Sequence, residues 1–168
     1  SKTVVENNAN LGIAVDPDVD RLAFIDEKGT YFGEEYTLVA CADYVLNKKS
    51  GPTVSNLSSS KALRELTEFK GCNYFYSAVG EVNVVEMMKS KNAVIGGEGN
   101  GGVILPSIHY GRDALIGIAL FLSHLVEKRS SVSNLRKQYP SYYMAKKKID
   151  INDVSFEKIF KSLKIKFS

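Results

Sequence analysis

The chain is poor in cysteine, with only two in 168 residues. A secreted scaffold held together by disulfides uses more, so this number suits a reducing compartment. Cys41 lies in an apolar helical pattern and Cys72 lies beside a glycine. Neither has the histidine and acidic neighbours that activate a catalytic thiol. We interpret both as packing residues.

Long hydrophobic runs are also absent. No apolar stretch approaches the roughly 20 residues that a membrane-spanning helix needs, and the chain does not open on a signal peptide. From these two absences we expect a soluble, cytoplasmic protein without a membrane partner.

No single sign of charge dominates the chain, whose net charge is +3. The balance is uneven, because residues 128–168 carry 11 basic and 3 acidic side chains, whereas residues 1–127 carry 11 and 16. This distribution argues against a uniformly basic fold and therefore against nucleic acid as a partner. The basic end, which includes Lys146, Lys147 and Lys148, is more typical of a solvated surface than of a phosphate-binding arm.

Short β-type runs alternate with helical patterns along the chain, which is typical of α/β folds. We predict a layered α/β/α domain with a mostly parallel, mixed sheet and helices on both of its faces. Strands are predicted at residues 12–15, 22–26, 53–57, 73–76, 93–95 and 103–105. Helices are predicted at residues 34–49, 59–69, 82–91 and 113–128. The last helix is apolar on most of its sides and is expected to be central and buried.

The two ends of the chain differ from its middle. Residues 1–10 are polar and unpatterned. After residue 129 the pattern predicts a short helix, an edge strand at 146–151 and a helix at 156–163 with few apolar residues. We predict three parts, namely the end of one domain at 1–33, a complete α/β domain at 34–129, and a linker with the start of another domain at 130–168. On this interpretation the chain is a fragment of a larger protein.

The sequence Asp16-Pro17-Asp18-Val19-Asp20-Arg21 places three carboxylates at alternate positions between two apolar, strand-like segments. On an extended or tightly turned backbone, residues i, i+2 and i+4 can point the same way. Three converging carboxylates repel one another unless a divalent cation lies among them, and Mg²⁺ prefers oxygen ligands. Asp16, Asp18 and Asp20 are therefore predicted to bind Mg²⁺, in preference to forming a solvated acidic turn.

Two other functions of this motif are less well supported. The acidic residues from Asp16 to Glu27 have the spacing of a calcium-binding EF-hand loop, but Arg21 occupies the position of the turn glycine and the flanks are strand-like. A phosphatase of the haloacid dehalogenase type also places Asp-x-Asp after an apolar strand. A helix should then follow, whereas this chain enters a second strand. The phosphatase stays open as a minor alternative.

Five glycines occur in the seven residues from Gly96 to Gly102, with Glu98 and Asn100 between them. The spacing matches a dinucleotide fingerprint and the start of a kinase glycine-rich loop, but no phosphate-binding helix follows and no kinase catalytic-loop sequence occurs. Glu98 can accept hydrogen bonds from hydroxyl groups, and Asn100 can both donate and accept. We predict that this run binds a polyol rather than forming a plain turn.

Two further segments favour an anionic ligand. Gly80 and Glu81 lie between a predicted strand and a predicted helix, and the free amides of a helix N-terminus favour anions. Glu81 could contact the ligand or only complement the helix dipole, and the spacing does not decide between these roles. Arg112 precedes the apolar helix and is suited to phosphate. Asp113 is placed to cap that helix or to hold the arginine.

Taken together, the segments DPDVDR, AVGEV, GGEGNGG and HYGRD, in this order and at these intervals, resemble the α-D-phosphohexomutase family. Its members include phosphoglucomutase, phosphomannomutase and phosphoglucosamine mutase. The resemblance covers about residues 11–145. In that family four domains surround one deep cleft, and the match runs from the end of the second domain, through the third, to the link into the fourth. The resemblance implies two partners, a sugar phosphate and the other domains of the same polypeptide.

On the catalytic side, the resemblance makes Asp16, Asp18 and Asp20 the ligands of one Mg²⁺. It places Arg21 beside the reacting phosphate as a catalytic residue. Many members have a lysine just before the Val-Gly or Thr-Gly of the third-domain loop, and this chain has Ala78 there. A general acid or base role therefore cannot be transferred to that position.

On the substrate side, Glu98 corresponds to the ligand of sugar hydroxyls in the family's recognition loop. Asn100 falls where many members have serine, which keeps hydrogen bonding but leaves the choice of sugar open. Gly80, Glu81 and Arg112 complete the predicted substrate-binding residues.

The mechanism implied by the resemblance is phosphoryl transfer through an enzyme phosphoserine. The enzyme's phosphate passes to a hexose phosphate, the resulting hexose 1,6-bisphosphate turns round, and the other phosphate returns to the serine. In the family the phosphoserine lies in the first domain and a phosphate-binding loop lies in the fourth. We therefore expect this chain alone to be inactive. The alternatives are a non-catalytic module that binds metal or sugar phosphate, and the Asp-nucleophile phosphatase.

Overall fold

A computed structural model of the chain describes residues 1–145 and 155–167, so the edge strand predicted at 146–151 lies outside the described residues. The helices are α1 (Lys2–Glu6), α2 (Glu34–Lys48), α3 (Ala62–Phe69), α4 (Glu81–Lys91), α5 (Ala114–Lys128), α6 (Val132–Arg136) and α7 (Phe156–Phe167). The strands are β1 (Leu11–Val15), β2 (Leu22–Asp26), β3 (Thr53–Asn56), β4 (Tyr74–Ser77), β5 (Ile95–Gly97) and β6 (Val103–Ile104). Within these residues, no helix has the length and apolar character needed to span a bilayer.

Four of the strands form one sheet in the order β4-β3-β5-β6. β3 runs parallel to both β4 and β5, whereas β5 pairs with β6 as an antiparallel hairpin. Parallel strands need crossover connections, and α3 and α4 provide them between β3 and β4 and between β4 and β5. The predicted α/β class with a mostly parallel, mixed sheet is confirmed.

Helices cover both faces of this sheet. Val103 and Ile104 are neighbours on β6, so their side chains point to opposite faces. Ile104 packs with Val84 and Met88 of α4, whereas Val103 lies in the larger core that α2, α3 and α5 share. Each fully buried aliphatic side chain of this kind stabilises the fold by roughly 1.5–3 kcal/mol. The layered α/β/α architecture is therefore confirmed.

β1 and β2 form a separate antiparallel hairpin that packs on the helices. Phe24 of β2 stacks on Phe121 of α5 with ring centroids 3.8 Å apart, and Phe32 meets both rings edge-on. All three side chains are buried. The hairpin therefore shares the main core, which fixes the position of the loop between its strands. The division of the chain at residues 33 and 129 stays a prediction.

Two elements, α1 and β5, differ from the prediction. Residues 1–10 contain α1, whose Val4 is buried against Gly12 of β1. β5 begins at Ile95 and ends at Gly97, each two residues later than predicted. The later end follows from pairing with β3 and β6, which draws Gly96 and Gly97 into the sheet. Tertiary pairing overrides the low strand propensity of glycine here.

The expectation that α5 is central and buried holds for one face of this helix. Ile116, Gly117 and Phe121 face the core, but Leu115 and Val126 are 67% and 77% exposed. A mostly apolar composition does not reveal which face of a helix packs inward. Only one stripe of α5 packs within the described part of the chain.

His124 of α5 is a buried residue with polar partners. Its Nε2 lies 3.1 Å from both Asp43 Oδ2 and Tyr139 Oη, and Lys70 Nζ lies 2.6 Å from Asp43 Oδ1. Burial acts to raise the pKa of Asp43, but hydrogen bonds from His124 and Lys70 outweigh it and hold this pKa below its usual range. The network ties α5 and the segment after α6 to α2, so it belongs to the scaffold.

The two cysteines are free thiols, and Cys41 has the packing role predicted for it. Cys41 is fully buried on α2, where its Sγ lies 3.4 Å from the Gly117 carbonyl oxygen of α5. Burial raises the pKa of the Cys41 thiol, which makes it unreactive. Cys72 is half-buried after α3.

Candidate active site

The acidic loop (residues 16–21) connects β1 to β2 and carries the three predicted metal ligands. One ligand oxygen from each of its aspartates lies within 4.8 Å of the others. The loop turns at Val19, whose φ of 56° is rare for a β-branched residue. Such strained positions cluster at functional sites. The Val19 carbonyl accepts a hydrogen bond of 3.0 Å from the Ala114 N–H, so the start of α5 holds the loop in place.

Asp16 shapes the loop through its own carboxylate. Its Oδ1 accepts hydrogen bonds from the N–H groups of Asp20 and Arg21 at 3.1 and 3.0 Å, as aspartates that close turns do. Arg21 Nε lies 3.1 Å from Asp16 Oδ2 and 3.5 Å from Asp20 Oδ1. The predicted catalytic arginine therefore lies beside two of the predicted metal ligands.

The environment shifts the pKa values of two of these carboxyl groups in opposite directions. The backbone N–H of Arg21 stabilises the charged form of Asp16 and lowers its pKa. Burial raises the pKa of Asp20, and the neighbouring Arg112 offsets this only in part. The neighbouring Asp16 and Asp18 also raise the pKa of Asp20, and a divalent cation would relieve this repulsion between like charges.

The residues of the acidic loop fit a divalent cation. Asp16 Oδ2 and Asp20 Oδ1 are buried and accept no hydrogen bond, although Arg21 Nε lies 3.1 Å from the first and 3.5 Å from the second. Burying a carboxylate oxygen without a hydrogen bond is costly, and a bound cation would offset that cost. The surrounding ionic cluster contains five carboxylates and two guanidinium groups, which belong to Asp16, Asp18, Asp20, Glu81, Glu98, Arg21 and Arg112. Side chains thus leave three negative charges uncompensated. Hard oxygen ligands in this number suit Mg²⁺.

The glycine loop (residues 98–102) is the turn between β5 and β6. The Glu98 N–H donates to the Gly102 carbonyl at 3.0 Å. Gly101 has a φ of 89°, and a Cβ at this position would lie 2.2 Å from the Leu22 carbonyl oxygen. Only glycine allows both this backbone conformation and this close approach. The glycine loop therefore lies directly against β2, at the exit of the acidic loop.

Hydrogen bonds hold the two polar side chains of the glycine loop. Glu98 is 5% exposed, and its Oε1 accepts from Asn56 Nδ2 at 2.7 Å. Asn100 Nδ2 lies 3.4 Å from Glu98 Oε2, and Asn100 Oδ1 accepts from the Gly102 N–H at 3.2 Å. The structure thus brings together the carboxylate and the amide that were predicted to bind a polyol.

Sequence reasoning missed Asn56, which is the last residue of β3. It is buried, and its Oδ1 accepts from the Ser58 N–H at 3.0 Å while its Nδ2 holds Glu98. Ligand-binding side chains gather at the carboxyl ends of parallel strands. Glu98 follows the end of β5 at the same edge of the sheet. A polar residue that ends a buried parallel strand was the signal available in the sequence.

Gly80 and Glu81 begin α4. Gly80 has a φ of 116°, and its carbonyl accepts from the Val84 N–H at 3.2 Å. The Glu81 carboxylate accepts from the backbone N–H of Arg112 at 3.0 Å and from its Nε at 3.1 Å. Glu81 therefore holds Arg112. Contact of Gly80 or Glu81 with a substrate stays a prediction.

Arg112 joins three separate segments of the chain. Besides Glu81, its Nη1 lies 2.7 Å from Glu98 Oε2 and its Nη2 pairs with Asp20 Oδ2. A Cβ on Gly102 would lie 2.4 Å from Arg112 Cδ, so the arginine stem runs over the glycine loop. The side chain is only 15% exposed. Contact of Arg112 with a phosphate stays a prediction.

Asp113 caps α5, one of the two roles predicted for it. Its Oδ1 accepts from the Ile116 N–H at 3.0 Å, and its Oδ2 lies 3.0 Å from His109 Nε2. Burial acts to raise the pKa of Asp113, but the Ile116 N–H and His109 outweigh burial and lower it. The side chain therefore serves the helix, while Glu81 holds the arginine.

A family model provides the deciding comparison. The chain matches alpha/beta/alpha domain III of phosphoglucomutase/phosphomannomutase over residues 33–143. The chain belongs to this family. The matched segment contains the glycine loop and Arg112, and the acidic loop directly precedes it.

Relatives of this chain within the family are longer proteins. A phosphoglucomutase/phosphomannomutase of Thermococcus kodakarensis is 33% identical over 141 residues, which is 83% of this chain and 31% of that protein. A phosphoglucosamine/phosphogalactosamine mutase of Sulfurisphaera tokodaii is 32% identical over 158 residues, which is 92% of this chain and 35% of that protein. The chain spans about a third of the length of these relatives.

Solved structures share the fold of this domain. A phosphoglucomutase/phosphomannomutase family protein from Burkholderia thailandensis has a TM-score of 0.73 at 22% identity. The superposed region is 83% of this chain and 31% of that protein's chain. A variant of the Aspergillus fumigatus N-acetylphosphoglucosamine mutase, solved with glucose 1,6-bisphosphate, has a TM-score of 0.57 at 13% identity. The superposed region is 77% of this chain and 32% of that protein's chain. At these identities the likeness shows the fold.

The loop between β4 and α4 lacks a titratable side chain at residue 78. Ala78 lies between β4 and α4, and the neighbouring Ser77 Oγ donates to the Ala78 carbonyl at 2.9 Å. Because alanine cannot exchange a proton, this position supplies no general acid or base.

Proposed function

We propose that the chain supplies the Mg²⁺ loop and the sugar-recognition loop of a phosphohexomutase. This isomerase would interconvert hexose 1-phosphates and hexose 6-phosphates through an enzyme phosphoserine. The phosphoserine and a further phosphate-binding loop would belong to other domains of the same polypeptide, in a cytoplasmic protein. The family of the chain supports this proposal.

The observation that carries the proposal is the contact between the acidic loop and the glycine loop. Asp20 and Glu98 are distant in sequence, yet both pair with the guanidinium of Arg112. Moving a phosphoryl group on a sugar requires charge stabilisation and hydroxyl ligands close together. The two loops have the proximity that such a reaction needs.

Asp16, Asp18 and Asp20 are proposed to hold one Mg²⁺. When bound, this ion would offset the negative charge of the transferring phosphoryl group. The two buried oxygens without hydrogen bonds support this ligand set. Arg21 lies beside these carboxylates with its side chain 54% exposed. Its N–H groups can therefore donate to phosphate oxygens and orient the phosphate.

Glu98 and Asn100 are proposed to bind sugar hydroxyls. A carboxylate offers about four acceptor positions, and the contacts of Glu98 with Asn56, Asn100 and Arg112 use three. The remaining position can accept from a sugar hydroxyl. Because a hexose presents hydroxyls in either orientation, such a site tolerates the turning of a hexose 1,6-bisphosphate. The Aspergillus fumigatus structure with glucose 1,6-bisphosphate supports this intermediate.

A chimeric enzyme tests the proposal. Residues 11–143 of this chain would replace the corresponding segment of the Thermococcus kodakarensis relative. The assay would measure conversion of the 1-phosphates of glucose, mannose and glucosamine to 6-phosphates with Mg²⁺. We expect conversion of at least one substrate by the chimera and of none by the 168-residue chain alone. The mutase activity of an Asp16→Asn chimera should fall on the order of 100-fold or more. Even mutation of a residue that only holds a metal ligand typically lowers metal affinity or activity 10–100-fold.

Three outcomes would overturn the proposal or part of it. A folded but inactive chimera that binds Mg²⁺ and glucose 1-phosphate would indicate a non-catalytic binding module. Release of inorganic phosphate by the chain alone, abolished by Asp16→Asn, would indicate the Asp-nucleophile phosphatase. Mutase activity of the isolated chain would refute the requirement for other domains.

A further inference from the structure

We infer that Arg112 is a positioning residue that orients Asp20 towards a cation and Glu98 towards a sugar. It thereby fixes the position of the acidic loop relative to the glycine loop. The inference rests on the proposed function of these two loops. It gives Arg112 a different role from the phosphate ligand that the sequence suggested.

On the side of the acidic loop, Arg112 anchors one oxygen of Asp20 and leaves the other for a cation. Nη2 pairs with Asp20 Oδ2. Asp20 Oδ1 and Asp16 Oδ2 are buried without a hydrogen bond, and both face the half-exposed Arg21, whose Nε lies 3.5 and 3.1 Å from them. A carboxylate held through one oxygen cannot rotate freely, so its second oxygen keeps a defined direction. Partners of this kind orient metal ligands and strengthen metal binding.

On the side of the glycine loop, Arg112 fixes Glu98 in the same way. Nη1 lies 2.7 Å from Oε2, while Asn56 Nδ2 holds Oε1 at 2.7 Å. Two anchors on different oxygens fix the plane of the carboxylate. A site that recognises hydroxyl groups needs this preorganisation, because a loosely held acceptor loses directionality.

Arginine is the side chain that can make these contacts together. Its guanidinium carries five N–H donors in a rigid plane, whereas lysine has one ammonium on a flexible stem. Glu81 engages Nε and the backbone N–H of Arg112, which directs Nη1 and Nη2 to the two loops. With three carboxylates around it and 15% of its side chain exposed, the arginine presents little surface to a phosphate.

The change in cation affinity when Arg112 is replaced distinguishes a positioning role from a simple charge effect, because the two roles predict changes in opposite directions. If Arg112 acted only as a nearby positive charge, its removal would strengthen cation binding. If it orients Asp20, Arg112→Met should weaken Mn²⁺ binding to the 168-residue chain on the order of 10–100-fold. Arg112→Lys should not restore the affinity. Electron paramagnetic resonance of free Mn²⁺ gives the measurement.

Arg64→Met is the matched control for this substitution. Arg64 lies on α3 with its side chain 55% exposed and pairs with Glu68. Removing it changes the net charge by the same amount without touching either loop. Its Mn²⁺ affinity should equal that of the wild type.

Hydrogen exchange tests the same inference without a cation. The Ala114 N–H binds Val19 of the acidic loop, and the Glu98 N–H binds Gly102 of the glycine loop. In Arg112→Met and Arg112→Lys both amides should exchange about tenfold faster, the effect of losing one charge-assisted hydrogen bond. Amides of β3 should keep their wild-type rates, and Arg64→Met should change neither loop.

Each outcome of these experiments decides the inference. Unchanged or tighter Mn²⁺ binding in Arg112→Met would overturn it, and so would unchanged exchange in either loop. If the wild-type chain binds no Mn²⁺, the proposed metal site fails, and the exchange rates alone decide the role of Arg112. If Arg112→Met does not fold, Arg112→Lys retains the charge and provides both measurements.

Discussion

Replacing Phe24 by alanine is expected to lower the free energy of unfolding by about 3–5 kcal/mol. Phe24 is fully buried, and its ring lies 3.8 Å from that of Phe121 and meets Phe32 edge-on. The substitution removes buried apolar surface and leaves a cavity that two large rings cannot fill. Domains typically have about 5–15 kcal/mol of stability, so this loss would leave the variant close to unfolding.

Urea unfolding followed by circular dichroism measures this loss. Phe69→Ala is the matched control, because Phe69 is 85% exposed and its removal should change stability by less than about 0.5 kcal/mol. A cost below about 1 kcal/mol for Phe24→Ala would contradict the account. It would indicate that the β1–β2 hairpin folds independently of the α/β layers.

Gly101→Ala is expected to push the glycine loop away from β2. Backbone strain at its φ of 89° costs about 1–3 kcal/mol for a residue with a Cβ. In addition, that Cβ would lie 2.2 Å from the Leu22 carbonyl oxygen, so the backbone of one loop must move. The movement should separate Glu98 from Asp20 and weaken both cation binding and sugar binding.

Gly71→Ala is a control that separates the effect of the steric clash at Gly101 from the effect of backbone strain. Gly71 has a φ of 70°, and a Cβ there would meet no atom within 4 Å. Both variants therefore share the backbone strain, and only Gly101→Ala adds the collision. We expect Gly101→Ala to have a clearly lower free energy of unfolding in urea. Equal values for the two variants would contradict the contact between the glycine loop and β2.

The sequence predicted those parts of the site that depend on local spacing. The alternating aspartates of the acidic loop are brought within 4.8 Å by a turn of six residues. Glu98 and Asn100 lie two positions apart on one turn. Short-range geometry of this kind follows from backbone periodicity, so no knowledge of the rest of the fold was needed.

Interactions between segments that are distant along the chain could not be predicted from the sequence. The contact of Arg112 with Asp20 depends on how the β1–β2 hairpin docks on α5, which no local pattern encodes. Asn56 became part of the site because parallel pairing brings the ends of β3 and β5 to one edge. The exposed stripe of α5 was missed because an apolar composition does not say which side packs within the described residues.

The central claim is that the acidic loop holds a divalent cation beside a sugar-recognition loop. Its most direct test is a titration of the 168-residue chain with Mn²⁺, which favours the same carboxylate ligands as Mg²⁺. Glu68→Gln, on the exposed side of α3, is a control that removes one carboxylate away from the loop.

The account predicts one bound Mn²⁺ per chain, displaced by Mg²⁺. Affinity should fall on the order of 100-fold in Asp16→Asn and stay unchanged in Glu68→Gln. Absence of binding to the wild-type chain, or equal binding to wild type and Asp16→Asn, would contradict it.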